Sequence, residues 1–408
     1  MFNRTRLFPR KSYDEARAKF GMKVLALCTY PVEAAATRYR VAQFVAPLNE
    51  RDIEVTLRPL LDSNSFASLY QRAKLARIVV ALTGATLQRV ADVCRARRFD
   101  VVFVQREAIL FGPPVIELLM THVLKLPMVL DLDDATYVSY TSPTYGDFGK
   151  SLKWFSKTDD LIRWATIVIC GNRSIAEYVT SKGARARIIP TVVDTEVFRP
   201  ACPPANAGGP DNDRPVDAGG IDKPSHRTNS RVVLGWIGTH STLPYLESIF
   251  PVLSELARNH DFRLKIVGTG KDEIKIPGVE VENLRWSLER EVLDFQSIDI
   301  GLYPIDADLY SGKWAAGKSG FKAIQYMAVG IPYVATPVGA SAELGEAGVT
   351  HFFASNHQEW RNALAELIVN ADKRKQMGAA GRWHVTKNFA LPAQADKLAA
   401  VLREAATN

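Results

Sequence analysis

Residues 317–332, GKSGFKAIQYMAVGIP, are the stretch whose residue types and spacing best suit the handling of an anion. Ser319 stands as an expected N-cap, and a helix follows through Met327 until Gly330 and Pro332 stop it. The first amides of a helix have no intrahelical acceptor and carry a partial positive charge, so such a terminus attracts anions. Lys318 lies just before this terminus, Ser319 and Gly320 form it, and Lys322 lies one turn in. Lys322 and Gln325 are three residues apart and share a face. Together they offer a diphosphate two ammonium groups and several amides, and offer a ribose one carboxamide. Spacing alone leaves open an amphipathic helix with solvated lysines.

A second set of candidates is acidic. Asp131, Asp133 and Asp134 follow the apolar run PMVL, so they are expected at the end of a strand, pointing into a cleft. They could cap the next helix, or bind an acceptor and deprotonate its hydroxyl as a general base. A strand followed by Asp-Leu-Asp-Asp also resembles the nucleophile motif of haloacid dehalogenase-type phosphatases, in which magnesium assists. Ala135 departs from that motif, which wants Thr or Val there. A metal-binding Asp-x-Asp is the remaining alternative. Arg38 and Arg40 begin a helix after the first strand's loop, where they either meet a phosphate or lie on the surface. Arg106 and Glu107 end the run VVFV and are expected to pair with each other along the cleft, on the acceptor side with Arg38 and Asp134. His240 is the one histidine in an expected active-site loop.

Short apolar runs separated by helical stretches must position these groups. The first half offers Val24–Cys28, Ile53–Leu57, Val101–Val104, Met128–Leu130, Ile167–Ile169 and Arg187–Ile189. The second offers Val232–Ile237, Leu264–Val267, Val279–Val281, Ile298–Leu302, Tyr333–Ala335 and His351–Phe353. Most are continuous rather than alternating, as expected of parallel strands covered on both faces. Pro244–Ala257 reads as one helix with an apolar stripe, and Trp360, Leu364, Leu367 and Ile368 mark another. Residues 201–230 are rich in Pro, Gly, Asp and Asn and nearly free of large apolar groups, so they read as a flexible linker or disordered insertion. The expected layout is an N-terminal domain over 1–200, this linker, and a C-terminal domain over 231–408. A last helix near Ala393–Ala405 could pack on either domain.

Composition bounds the function. The chain has 408 residues, 47% of them hydrophobic, which suits two cores better than one. It shows no secretory signal and no apolar run of 18 residues, the signature of a spanning helix. Cys28, Cys94, Cys170 and Cys202 have no zinc spacing; three read as small buried thiols, in keeping with a reducing, cytoplasmic compartment. The net charge of +7 is concentrated in residues 1–23 and 70–98, each with seven Lys or Arg. Such segments favour an anionic partner, a membrane surface on the inner face being one, or form an ordinary solvated face. No reader motif accompanies the charge, so nucleic acid is not expected.

The order of the motifs adds a resemblance. Lys322, Gln325, Tyr326, Met327, Ala328, Gly330 and Pro332, then VATPVG and Glu343, resemble the donor-binding segment of glycosyltransferase family 4. Gly235-Trp236-Ile237-Gly238 with Thr239-His240-Ser241 resembles that family's first glycine-bearing donor loop. In the first half KVLALCTYP, TRYRVAQFVAPL, DVVFVQRE, DLDDA and IIPTVVDTEVFRP continue the likeness. Gly317 and Gln325 stand where many members carry two glutamates, and His240 and Ser241 stand where an Arg and a Lys are usual. The resemblance implies an α/β, GT-B fold: two Rossmann-like domains facing each other across a cleft. It implies a glycosyltransferase that takes a nucleotide-diphosphate sugar as donor and a glycan or lipid-linked acceptor, with no further cofactor or metal and with retention. The donor side would comprise Gly238, Thr239, Ser241, Lys318, Ser319, Gly320 and Gln325, and the catalytic groups Asp131, Asp133, His240 and Lys322. A catalytically silent module of the same fold is the main alternative, and a two-domain solute-binding protein a further one.

Overall fold

The computed structural model describes residues 21–68, 75–139, 146, 153–201, 231–306 and 315–407. The expected linker, apart from Ala201, and most of the basic segment 1–23 lie outside these residues, as do Cys202, Arg72 and Lys74.

Among the described residues, twelve strands form two six-stranded parallel sheets. The first contains β1 (Met22–Cys28), β2 (Ile53–Pro59), β3 (Val101–Gln105), β4 (Met128–Leu132), β5 (Ile167–Cys170) and β6 (Ala186–Ile188), in the order β2-β1-β3-β4-β5-β6. The second contains β7 (Val232–Ile237), β8 (Phe262–Val267), β9 (Glu280–Leu284), β10 (Ile300–Tyr303), β11 (Tyr333–Ala335) and β12 (Phe352–Phe353), in the order β12-β11-β10-β7-β8-β9. Each strand read from the apolar runs is present. Central strands such as β3 and β4 are buried at every position, which explains why their sequences do not alternate.

Strand order reverses between β1 and β3 in the first sheet and between β7 and β10 in the second. A crevice opens outside the carboxyl ends of the strands at such a switch point. The loops there carry Thr29–Ala34, leading into the helix Ala35–Arg40, and Arg106 in one domain, and Gly238–Thr242 in the other.

Helices cover both faces. On the first sheet, the helix Leu75–Arg95, the helix Val115–Leu118 and the helices Lys157–Trp164 and Arg173–Ser181 lie on one side. The last helix, Leu391–Ala406, covers the other side, with Leu391, Leu398 and Leu402 packed among Val24, Ala26, Val101 and Phe103. The chain therefore ends on its first domain.

Three local expectations need correction. Residues 243–257 form two helices, Leu243–Glu247 and Phe250–Leu256, because Pro251 has no N–H to bond the Glu247 carbonyl and breaks the run. Arg89 is not part of a solvated face. It is buried, donating to the carbonyls of Cys28 (2.7 Å) and Ala108 (3.0 Å) and to Asp92 (3.0 Å). Cys94 is exposed, whereas Cys28 and Cys170 are buried as expected.

Candidate active site

The helix after β10 runs Phe321–Ala328, and its cap is Gly320 rather than Ser319. Gly320 has φ 65°, and a Cβ there would fall 2.4 Å from the Leu344 side chain, so a larger residue would be strained in its backbone and crowded. Ser319 is thereby displaced from the capping position. The helix buries Ala323, Ile324, Gln325, Tyr326, Met327 and Ala328. Tyr326 donates to the carbonyls of Gly235 (3.1 Å) and Leu302 (3.2 Å), which locks the helix against β7 and β10.

Lys322 and Gln325 meet as their spacing requires, with Nζ donating to Oε1 at 3.1 Å. The lysine Nζ lies over the Phe295 ring, 5.3 Å from its centroid. Burial lowers its pKa to about 8, with Glu291 opposing the shift and Arg38 adding to it. A solvated lysine would show neither feature. Gln325 is fully buried, and its Nε2 meets no partner. A buried amide without an acceptor is costly unless a bound group supplies one.

At the end of β7, the Gly238 N–H donates to Val267 (3.0 Å). Beyond it the Thr239 hydroxyl bonds Ser241 (2.8 Å), and the Thr239 N–H donates to Thr242 Oγ1 (3.0 Å). His240 stands exposed at the tip of this hydroxyl-lined loop.

The first domain treats its candidates differently. Asp131 does not point into the cleft: it is buried and paired with Arg40, which also donates to the Ile189 carbonyl (2.7 Å). Arg40 is likewise internal, neither at the surface nor open to a phosphate. Arg106 and Glu107 do not pair with each other. Arg106 forks onto Asp133 (2.6 and 2.8 Å) and reaches Asp134 (2.7 Å), while Glu107 takes Lys153 (3.2 Å) and Lys157 (2.6 Å). Burial alone would raise the Asp133 carboxyl, but the Arg106 guanidinium prevails and holds it below the usual carboxylate range. Arg106 adopts φ 64°, a left-handed conformation that a non-glycine residue takes only when its surroundings enforce it. Its N–H donates to the Asp131 carbonyl (2.9 Å), and the fork completes that enforcement. With Asp131 sealed behind Arg40, attack on a phosphoryl group by this carboxylate has no path.

Several contacts cross the cleft. Lys318 Nζ lies 3.6 Å from Asp134 Oδ1, and the Lys318 carbonyl accepts from Asn172 (3.1 Å). Gly317 lies against Ala135, and a Cβ on it would stand 2.3 Å from that of Ala135. This arrangement leaves no room for a side chain at position 317. Arg38 donates to both Glu291 oxygens (2.9 and 3.0 Å), and Tyr39 donates to Oε2 (2.6 Å). Tyr39 also packs on Phe321 at the start of the lysine-bearing helix, 4.6 Å between centroids.

Glu291, Tyr39 and Asn172 were not among the sequence candidates. A signal existed for the first: Glu291 is four residues before Phe295, on the face that buries both. A carboxylate on an apolar helix face requires a partner.

Comparison with known proteins bears on the fold and on the second half of the chain. Residues 231–370 match the family model described as glycosyl transferases group 1. A 90-residue stretch is 31% identical to the alpha-1,3/1,6-mannosyltransferase ALG2 of Rhizomucor pusillus, covering 22% of this chain and 20% of that protein. Among solved structures, Anabaena Alr3699/HepE in complex with UDP-glucose superposes with a TM-score of 0.63 at 15% identity, over 94% of this chain and all of that one. A glycosyltransferase from Rickettsia africae ESF-5 does so with a TM-score of 0.61 at 14% identity, over 96% of this chain and 100% of that one. The chain has the GT-B fold, two Rossmann-like domains face to face, and its second half carries a group 1 glycosyl transferase domain.

Proposed function

We propose that this protein is a glycosyltransferase of the family 4 kind, moving a sugar from a nucleotide-diphosphate sugar to a glycan or lipid-linked acceptor in the cytoplasm. The observation that carries this reading is the start of the Phe321–Ala328 helix. There a half-buried lysine and a fully buried carboxamide with an unpartnered nitrogen meet, inside the segment that matches the group 1 family. The relatives support the donor class, since one is described as a mannosyltransferase and another is in complex with UDP-glucose.

In this reading Lys322, Lys318 and the helix amides stabilise the charge that grows on the departing diphosphate. Gln325 bonds a ribose hydroxyl, and the Gly238–Ser241 loop faces the donor with Ser319 and Gly320. His240 and the Asp133–Arg106–Asp134 group line the sugar and acceptor side, with Arg38 and Glu107 behind them. Asp131 holds Arg40 rather than a substrate. Because the lysines answer the diphosphate charge, the reaction requires no metal; retention of configuration follows from the resemblance alone.

A thermal-shift screen against nucleoside diphosphates and their sugars tests the reading. One nucleotide class should raise the melting midpoint, and transfer from that sugar should continue in excess chelator. Stabilisation by none of them, or hydrolysis of simple phosphate esters that needs magnesium, would contradict it. Stabilisation without transfer to any acceptor would favour the silent module.

A further inference from the structure

The outer surface of the first domain is apolar where a monomer in water has little reason to be. On the helix Leu75–Arg95, Val80 is 72% and Leu87 67% exposed, and Val90 is exposed as well. Positions 80, 87 and 90 fall on one stripe at 3.6 residues per turn. The helix Val115–Leu118 packs alongside and continues into the π-helical turn Leu119–Val123, adding Val115, Leu118 and Val123, the last 60% exposed. Both elements cover the same face of the first sheet, so the two stripes are neighbours.

The exposed charges around this patch are mostly positive, with Asp100 an exposed acid among them. Between residues 75 and 127 there are four carboxylates, and each is engaged. Asp92 is buried against Arg58 and Arg89, and Glu107 holds Lys153 and Lys157. Glu117 is buried on the Ala108 N–H, and Asp100 accepts from the Lys23 N–H. Neither helix presents an acid outward. Arg95, Arg97, Arg98 and Lys125 are exposed, just ahead of the neighbouring strands β3 and β4, at the edge opposite the cleft. An apolar stripe rimmed by cations suits the headgroup boundary of an anionic bilayer, where side chains insert and arginines meet lipid phosphates.

We infer that the first domain docks on anionic phospholipid through the outer faces of the Leu75–Arg95 helix and the adjoining Val115–Val123 segment, with Arg95, Arg97, Arg98 and Lys125 engaging headgroups. The amino ends of both helices lie at the carboxyl edge of the sheet, so docking holds the cleft beside the bilayer. This surface stands independently of the transferase reading, because binding to lipid requires no turnover.

Co-sedimentation of the full chain with vesicles of phosphatidylcholine, with or without phosphatidylglycerol, tests it. Binding should rise with phosphatidylglycerol and fall with salt. Leu87→Glu with Val123→Glu should weaken it at least about tenfold by removing insertion. Arg95, Arg97 and Arg98 together changed to Glu should weaken it about 100-fold, at about fivefold per cation. Both variants alter exposed positions and should keep the wild-type melting midpoint and nucleotide binding. Equal binding to neutral vesicles, or undiminished binding by both variants, would overturn the inference, the latter assigning it to the basic segment 1–23. A lipid-free dimer that Leu87→Glu dissociates would overturn it in favour of a second copy of the chain.

Discussion

Two polar clusters face each other across the cleft, and they differ in how completely their hydrogen bonds are made. At the end of β4, Asp131, Asp133 and Asp134 are held by Arg40, Arg106 and Lys318. At the start of the Phe321–Ala328 helix, Lys322 bonds one carboxamide oxygen, and the nitrogen of that carboxamide has no acceptor. The first cluster resembles a fastening and the second a receptor. Acidic residues at a strand end are therefore poor evidence of catalysis when guanidinium groups are within reach. Under-satisfied groups at a helix start are better evidence of a ligand.

Breaking the saturated side should have the largest effect, and on stability. Arg40→Ala leaves Asp131 buried without its partner, which should cost about 3–5 kcal/mol. The shift of the urea midpoint at constant slope measures it. A folded Arg40→Ala protein with reduced turnover and wild-type stability would instead place Asp131 in the chemistry.

Disturbing the contact between the clusters should cost activity instead. Gly317→Ala drives a Cβ into Ala135 and should part the domains at the cleft, lowering kcat/KM about 100-fold through misplacement. Restoring room with Ala135→Gly in the same chain should recover most of it. Failure of that rescue would detach the glycine from domain approach.

The receptor side should also respond to pH. The Lys322 pKa is lowered to about 8, so its cation is lost as pH rises through that value. In the free enzyme kcat/KM should then fall about tenfold per pH unit above 8. Stability should move oppositely: between about 8 and the unfolded value of 10.5 the unfolded chain holds the extra proton, so this lysine's contribution rises with pH. A flat profile across pH 7 to 9.5 would deny Lys322 a charged role.

The smallest effect belongs to the bridge between the clusters. Asp134 and Lys318 are partly exposed and 3.6 Å apart, so Asp134→Asn should change kcat/KM by up to about fivefold, the scale of a surface pair. Rising salt should bring the wild type toward the variant.

Much of this was legible in the sequence because burial writes continuous apolar runs, and a helix start writes its breakers. β7 and β11 match their expected limits to the residue. The Lys322–Gln325 contact follows from helical spacing alone. What escaped was long-range pairing. Arg40 and Asp131 are 91 residues apart, and Arg38 and Glu291 are 253 apart, so only the fold brings them together. The capping assignment failed because a left-handed glycine wedged against Leu344 outcompetes a serine hydroxyl. The helix over 243–257 failed for a legible reason, an internal proline.

The central claim is that the Phe321–Ala328 helix receives the donor diphosphate through Lys322. Calorimetric titration with the nucleoside diphosphate that stabilises the wild type tests it directly, set beside Lys322→Ala. A charge-assisted bond to phosphate contributes about 1.5–3 kcal/mol, so the variant should bind about 10- to 150-fold more weakly, with a melting midpoint in the absence of ligand no lower than the wild type's, since burial disfavours the lysine cation. Wild-type binding near pH 8 should take up protons, because the phosphate restores the lysine's charge, and the variant's should lose that uptake. Equal affinity and equal proton uptake in the two proteins would contradict the account and place the donor site elsewhere.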